Sequence, residues 1–349
     1  MMDVLFVTAG DRTRASSRLR VYELIPYLEQ VGISAETITA PDSKGNFSKI
    51  YKKSVFASQV LSGAIKNDIV YVQKVRLPIW FTNLLSSISP TLIYDFDDAI
   101  YRAPPGEDID KQAVQQLNVA IEQSDLTIAG SHELVEYAQQ YTDDVECLHT
   151  GIPREEYTEH RNLDTQNSEA ILLGWIGNPE NLYYLDDIEE QIDRILEEFD
   201  NVQLRIITGK ETPVRPLKHR EGKNVEYIEW NLESALADLA EVDVGVRPLR
   251  DNEWTRAKGG FTSVIECLAL GIPVVASPVG LIKYLIEDGK NGYLADEPDE
   301  WVEVLSTMAT EPERITQLRQ ESIETVSKYE FWSENVADSL IKILYEIVE

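Results

Sequence analysis

Short apolar runs alternate with amphipathic stretches along most of the chain. Residues 4–8 predict a first strand, and the polar loop 9–17 leads into a helix over 17–31. Runs at 69–73, 91–94, 126–129 and 145–148 predict further strands, with helical spacing at 111–123 and 133–140 between them. Residues 154–168 are polar without apolar period and read as a linker. A second series follows, with strands at 171–176, 203–208, 225–228 and 242–246 and helices at 184–199 and 235–240. Strands alternating with helices imply parallel βαβ units, so the expected fold class is α/β with two doubly wound Rossmann-like domains. Ligands of such sheets bind beyond the C-terminal strand ends, and a crevice between the halves is the expected place. A last helix is predicted at 332–348.

The stretch 256–280, RAKGGFTSVIECLALGIPVVASPVG, carries the densest chemical signal. Gly259 and Gly260 lack Cβ atoms, so the backbone there can approach a ligand closely. Phe261, Ile265 and Leu268 share a helical face, Gly271 suits a helix C-terminal cap, and 272–276 reads as a buried parallel strand. The N-terminus of a helix starting near Thr262 offers free amides and a positive dipole end to phosphate, with Lys258 beside it. Glu266 lies on the face of Thr262 and Ser263, placed to accept hydrogen bonds from a ribose diol.

Charge changes the picture in two ways. The net charge of −29 argues against a nucleic-acid partner and fits a solvated acidic surface. It is unevenly spread: residues 1–80 hold 11 Lys+Arg against 7 Asp+Glu, a net of +4, which leaves −33 for the remainder. Arg247, Arg250, Arg256 and Lys258 then stand out as four cations in twelve residues, a candidate anion site, or else a set of surface ion pairs worth little. The loop Gly10 to Arg20 places Arg12, Arg14, Arg18 and Arg20 in a second positive patch; Arg18 suits a donor phosphate or an acceptor, or a helix-surface pair with Glu23. Residues 43–68 carry lysines and aromatics at amphipathic spacing, fit for an anionic bilayer or for packing on the sheet.

Asp95, Asp97 and Asp98 cluster beyond the strand 91–94, where solvent, a cation or hydrogen-bond donors must offset their repulsion. Asp95-Phe96-Asp97 also fits the short Asp-x-Asp motifs of metal-dependent glycosyltransferases and of haloacid-dehalogenase phosphatases. The two cysteines, Cys147 and Cys267, and four scattered histidines give no metal-ligand spacing, and His132 and His149 are expected to be structural. No apolar run approaches the ~20 residues that span a bilayer, and residues 1–17 read as strand and loop, not as a signal peptide.

The 256–280 stretch resembles the donor-binding segment of glycosyltransferase family 4 (glycosyl transferases group 1), whose pattern is Glu, seven residues, then Glu. The second Glu matches Glu266, and Lys258 occupies the first position, as in one branch of the family. His149–Pro153 (HTGIP) is similar to the family's hinge, 129–138 to its Gly-x-x-x-Leu helix start, and 174–185 to its first donor-domain strand and loop. That last segment lacks the family's Arg and Lys pair for the diphosphate, so another cation must supply the charge.

The resemblance implies the GT-B fold: an acceptor-side domain at 1–153, a linker at 154–168, a nucleotide-sugar domain at 169–330, and a C-terminal helix at 331–349 packed back on the first domain, with closure about His149–Ser168. It implies a retaining, metal-independent hexosyltransferase with no cofactor, a nucleotide diphosphate sugar as donor and a glycan or lipid-linked acceptor. In that reading Lys258, Glu266, Asp97 and Asp98 are the catalytic candidates. Arg256, Gly259, Gly260, Phe261, Thr262, Gly177, Asn178 and Arg18 are the donor contacts. The expected location is cytoplasmic, with peripheral membrane contact through the basic front end. A phosphatase using Asp95 or Asp97 and a non-catalytic nucleotide- or sugar-binding relative are the alternatives.

Overall fold

The computed structural model describes residues 2–41, 48–103, 106–161, 170–209, 224–258 and 261–348, with the backbone alone at 48–51. The described residues form two compact units. One contains the chain up to Pro153, residues 257–258 and the chain from Phe331 onward; the other contains Arg154–Arg256 and Phe261–Glu330.

The first unit is built on β1 (Met2–Thr8), β2 (Ile33–Thr39), β3 (Ile69–Gln73), β4 (Thr91–Phe96), β5 (Leu126–Ala129) and β6 (Val145–Cys147). They pair in parallel in the order β2-β1-β3-β4-β5-β6. Strands β1, β3 and β5 are buried almost throughout, which is why they show as unbroken apolar runs. Strand β2, ISAETIT, sits at the edge with only Ile33 fully buried, so its sequence carries no such run. The helix expected over 17–31 is interrupted: Arg18–Tyr22 is a π-helical turn, and Ile25–Gln30 restarts with Pro26 in its first turn. Helix Lys111–Gln123 is capped by Asp110, whose carboxylate accepts from the amides of Gln112 and Ala113. Helix Ser333–Val348 places Val336, Ala337, Leu340 and Leu344 in this unit's core beside Phe6, Ile93 and Ile128.

The second unit uses β7 (Ile171–Ile176), β8 (Val202–Thr208), β9 (Val225–Glu229), β10 (Val244–Arg247), β11 (Val274–Ala276) and β12 (Gly292–Leu294). All pairs are parallel, in the order β12-β11-β10-β7-β8-β9. Renumbered within the unit, that order is 6-5-4-1-2-3, the doubly wound dinucleotide-fold arrangement. One core cluster joins Trp175, Leu204 and Val246 on one face of the sheet to Ile192 and Trp301 of the helices packed there. The helix expected at 184–199 is two pieces, Tyr183–Asp186 and Glu189–Glu198, broken where Ile188 leaves helical geometry. Part of the segment expected as linker is ordered: Arg154–His160 is a helix that buries Tyr157, while 162–168 lies outside the described residues.

Candidate functional site

In the second unit the strand order reverses between β7 and β10, so the loops after these neighbours depart in opposite directions. Three elements meet at this point: the loop after β7, the end of β10, and the start of helix Thr262–Ala269. Gly177 must be glycine, because a Cβ there would lie 2.8 Å from the Trp175 ring and 3.4 Å from Arg247 Nη1. Asn178 follows as the N-cap of a short 3₁₀ turn. Phe261, buried, starts the helix from a left-handed backbone (φ 34°), and its ring fills the space above Gly280. Gly280 is itself left-handed (φ 55°) and leaves no room for a Cβ, which would lie 2.9 Å from that ring. Gly259 and Gly260 lie outside the described residues, and Lys258, half-buried, ends the described chain before them.

The three arginines of this region divide sharply. Arg250 is clamped by Asp187 through bonds of 2.6 and 2.5 Å and lies over the Tyr183 ring. Arg256 is exposed and clamped by Asp251 in the same bidentate way. Arg247, at the end of β10, has no carboxylate within ion-pair distance among the described residues. Its Nη1 donates a long bond (3.3 Å) to the Ile176 carbonyl, its Cζ lies 6.0 Å from the Trp175 ring centroid, and its buried Nε has no partner among the described residues. Burial pushes its pKa below the usual guanidinium value. A void of about 10 Å³, the size of one water, lies between Arg247, Gly245, Ser263, Val264 and Cys267. The Ser263 hydroxyl is likewise buried without a partner among the described residues. A half-buried cation with no carboxylate at ion-pair distance among the described residues, set beside the amides of a helix N-terminus, suits an anion.

Glu266 sits one turn into the helix, half-buried, and its Oε1 accepts a 2.9 Å hydrogen bond from the Tyr157 hydroxyl. Tyr157 comes from helix Arg154–His160, within the stretch read as linker. The segment REEYTEH has a single large apolar residue, so no hydrophobic period announced it. Thr262 is the first residue of the helix and half-buried, with no side-chain cap at Phe261.

The first unit has its own switch point, between β1 and β3. Ser17 closes the loop after β1 by accepting from the Gly10 amide (3.1 Å) and donating to Gln73 (2.9 Å). The expected positive patch is not uniform. Arg20 is 2% exposed and forks onto the fully buried Asp95, with Nε–O distances of 3.1 and 2.9 Å and Nη2 at 2.5 Å, while its Nη1 donates to the Leu148 carbonyl at 2.9 Å. Asp95 is the fifth residue of β4, inside the strand and sealed from solvent, so it suits neither a nucleophile nor a metal ligand. Arg12 lies over the Tyr22 ring, and Arg14 donates to the Ala9 carbonyl. Arg18 is half-buried, with Nη1 lacking a partner among the described residues.

Asp97 and Asp98 share Lys74, whose Nζ lies 3.0 Å from Asp97 and 3.1 Å from Asp98. Lys74 holds a left-handed backbone (φ 57°) at the end of β3, a strained conformation for a non-glycine residue. Burial works to raise the Asp97 pKa, but Lys74 and then Arg20 outweigh it and hold the carboxyl below its usual value. Gly130 lets this turn form, since a Cβ there would meet the Asp97 backbone at 3.0 Å. Among residues 43–68, the described backbone is helical over Ser48–Ala64.

Residues 170–311 match the model of the family described as glycosyl transferases group 1. The whole chain superposes on solved GT-B glycosyltransferases. Anabaena Alr3699/HepE, solved in complex with UDP-glucose, is 16% identical over 99% of this chain and 100% of its own, with a TM-score of 0.73. Sucrose-phosphate synthase from Thermosynechococcus elongatus is 12% identical over 99% of each chain, also at 0.73. A glycosyltransferase from Rickettsia africae is 11% identical over 100% of this chain and 99% of its own, at 0.74. No curated protein matches the chain by sequence. The fold class is GT-B, and the resemblance to glycosyl transferases group 1 holds over the second unit's sequence.

Proposed function

We propose that this protein is a retaining glycosyltransferase that moves a hexosyl group from a nucleotide diphosphate sugar to an acceptor hydroxyl. The observation that carries the reading is Arg247, a half-buried cation whose Nε is sealed from solvent and which has no carboxylate at ion-pair distance among the described residues, set at the β7/β10 switch point beside the N-terminus of helix Thr262–Ala269. The family match over the same unit supports it, and the UDP and UDP-glucose bound to the solved relative make a uridine nucleotide the first donor to test.

In this reading Arg247 and Lys258, with the amides at the helix start, neutralise the diphosphate as it leaves. Arg256, already held by Asp251, contributes less. Glu266, oriented by Tyr157, accepts from the ribose diol. Asp97 and Asp98 orient sugar or acceptor hydroxyls through their outer oxygens. The bond from the anomeric carbon to the β-phosphate oxygen breaks and the acceptor oxygen bonds on the same face. The acceptor's proton passes to the departing phosphate. Protein cations supply the charge that a metal supplies elsewhere, so transfer proceeds without one. The acceptor class is a glycan, glycolipid or surface polysaccharide, and the enzyme works in the cytoplasm or peripherally at a membrane. No described helix is long and apolar enough to cross one.

Thermal shifts with UDP, GDP and ADP, with and without EDTA, test the donor site. A nucleotide at a hundred times its Kd adds about 2.7 kcal/mol to stability. The expected result is one preferred nucleotide, an EDTA-independent shift, and a smaller shift in Lys258→Ala. No stabilisation by any of the three overturns the proposal, while a shift without turnover of the sugar nucleotide reduces it to binding alone.

A further inference from the structure

The four histidines and two cysteines show no metal spacing along the chain, yet the fold gathers three of them. One donor atom from each of His132, Cys147 and His149 lies within 4.8 Å of the others. The sheet explains the convergence. Strand β5 pairs with β6 so that Ala129 faces Cys147, and the Leu148 amide donates to the Ala129 carbonyl at 2.9 Å. Three residues beyond Ala129 the chain enters helix His132–Ala138 at His132, and two beyond Cys147 it reaches His149. The two imidazoles stand edge to face, with ring centroids 6.0 Å apart.

We propose that His132, Cys147 and His149 form a binding site for a borderline-soft divalent cation, with zinc as the fitting ion. Two imidazoles and a thiolate are the donor types that select zinc or cobalt over magnesium and calcium. With metal–nitrogen bonds of about 2.0–2.1 Å and metal–sulfur of about 2.3 Å, tetrahedral donors sit about 3.3–3.7 Å apart. The present cluster needs only side-chain adjustment to reach that spacing, and His132 is exposed and free to make it. His149 is already set for the role. Its Nδ1 lies 3.1 Å from the Gly130 carbonyl, so that nitrogen carries the proton and Nε2 keeps its lone pair, the outer-shell arrangement common to metal-bound histidines. Glu133 and Glu146 stand near Cys147 and add negative charge around the ion, while the nearby Arg20 cation is neutralised by Asp95. Three protein donors leave a fourth position to water. All three donors belong to the first unit, whereas Arg247 and Glu266 belong to the second, and the metal-site proposal does not rest on the transfer reaction proposed above.

The test is titration of the chelator-stripped full-length protein with Co²⁺, followed by Zn²⁺. The expected result is one equivalent of cobalt bound, a near-ultraviolet thiolate-to-cobalt band with visible bands of tetrahedral intensity, and displacement of both by zinc. Cys147→Ser loses the charge-transfer band, and His132→Ala, a surface change, weakens cobalt binding at least tenfold. Cys267→Ser, which alters the buried cysteine of helix Thr262–Ala269, keeps the band. Thermal melts of the metal-free variants confirm that each is folded. Absence of the charge-transfer band in the wild type, its persistence in Cys147→Ser, or unchanged affinity in His132→Ala overturns the proposal.

Discussion

Replacing Arg247 by Met separates a ligand-binding cation from a structural one, because the two roles predict opposite signs. The guanidinium is held by one long hydrogen bond to Ile176 and its contact with Trp175, with no carboxylate partner among the described residues. Removing a partly desolvated charge with no carboxylate at ion-pair distance among the described residues relieves its desolvation, which offsets the lost hydrogen bond of about 1 kcal/mol. The stability of the ligand-free protein therefore changes by less than about 1 kcal/mol, or rises. Binding behaves differently. A charge-assisted hydrogen bond is worth about 1.5–3 kcal/mol, so the Kd for UDP rises roughly 10- to 150-fold. Arg256→Met serves as the comparison: its side chain is exposed and already satisfied by Asp251, and the Kd changes less than about threefold. Calorimetric titration gives the affinities, and urea unfolding without ligand gives the stabilities. A destabilised Arg247→Met that binds UDP with unchanged affinity would refute the reasoning and make Arg247 a packing residue.

Other consequences follow from the same contacts. Tyr157→Phe removes the hydrogen bond to Glu266, worth about 0.5–1.5 kcal/mol, and is expected to raise the donor KM several-fold with kcat little changed; an unaltered KM would count against ribose binding by Glu266. Lys74→Met leaves Asp97 buried without its main counter-ion, costing about 3 kcal/mol at pH 7. With Lys74 present the folded Asp97 pKa is depressed, so its stabilisation is full above the unfolded value of about 3.9 and fades only below it. Without Lys74 burial raises that pKa, and the penalty shrinks as pH falls toward about 4; urea midpoints at pH 7, 5.5 and 4 read the trend, and a constant penalty contradicts it. Breaking the sealed Arg20–Asp95 pair by Asp95→Leu costs about 3–5 kcal/mol, whereas adding Arg20→Met recovers most of it in the same unfolding assay; equal losses in single and double variants would show that the packing, not the charge, mattered.

The fold was legible because parallel strands buried on both faces are near-continuous apolar runs, as IVYV of β3 and ILLGWI of β7 are. Edge strands escape that rule. β2 faces solvent along most of its length, and β12 has three residues, too few for any period. The placement of candidate residues was legible where it is local, as in the helix start at Thr262 with Glu266 one turn on. It was not legible where partners are distant in the chain. Arg247 stands apart only because Asp187, 63 residues away, takes Arg250, and Asp251 takes Arg256. Arg20 reads as one of four loop arginines until the sheet brings Asp95 beneath it. The same holds for His132 and His149, which meet through the register of β5 against β6.

Hydrogen–deuterium exchange of the full-length protein, with and without saturating UDP, tests the donor site most directly. The account predicts slowed exchange in the second unit at the ends of β7 and β10 and at the start of helix Thr262–Ala269, and loss of that protection in Arg247→Met. Unchanged exchange at those three elements, with UDP shown to be bound, would contradict it.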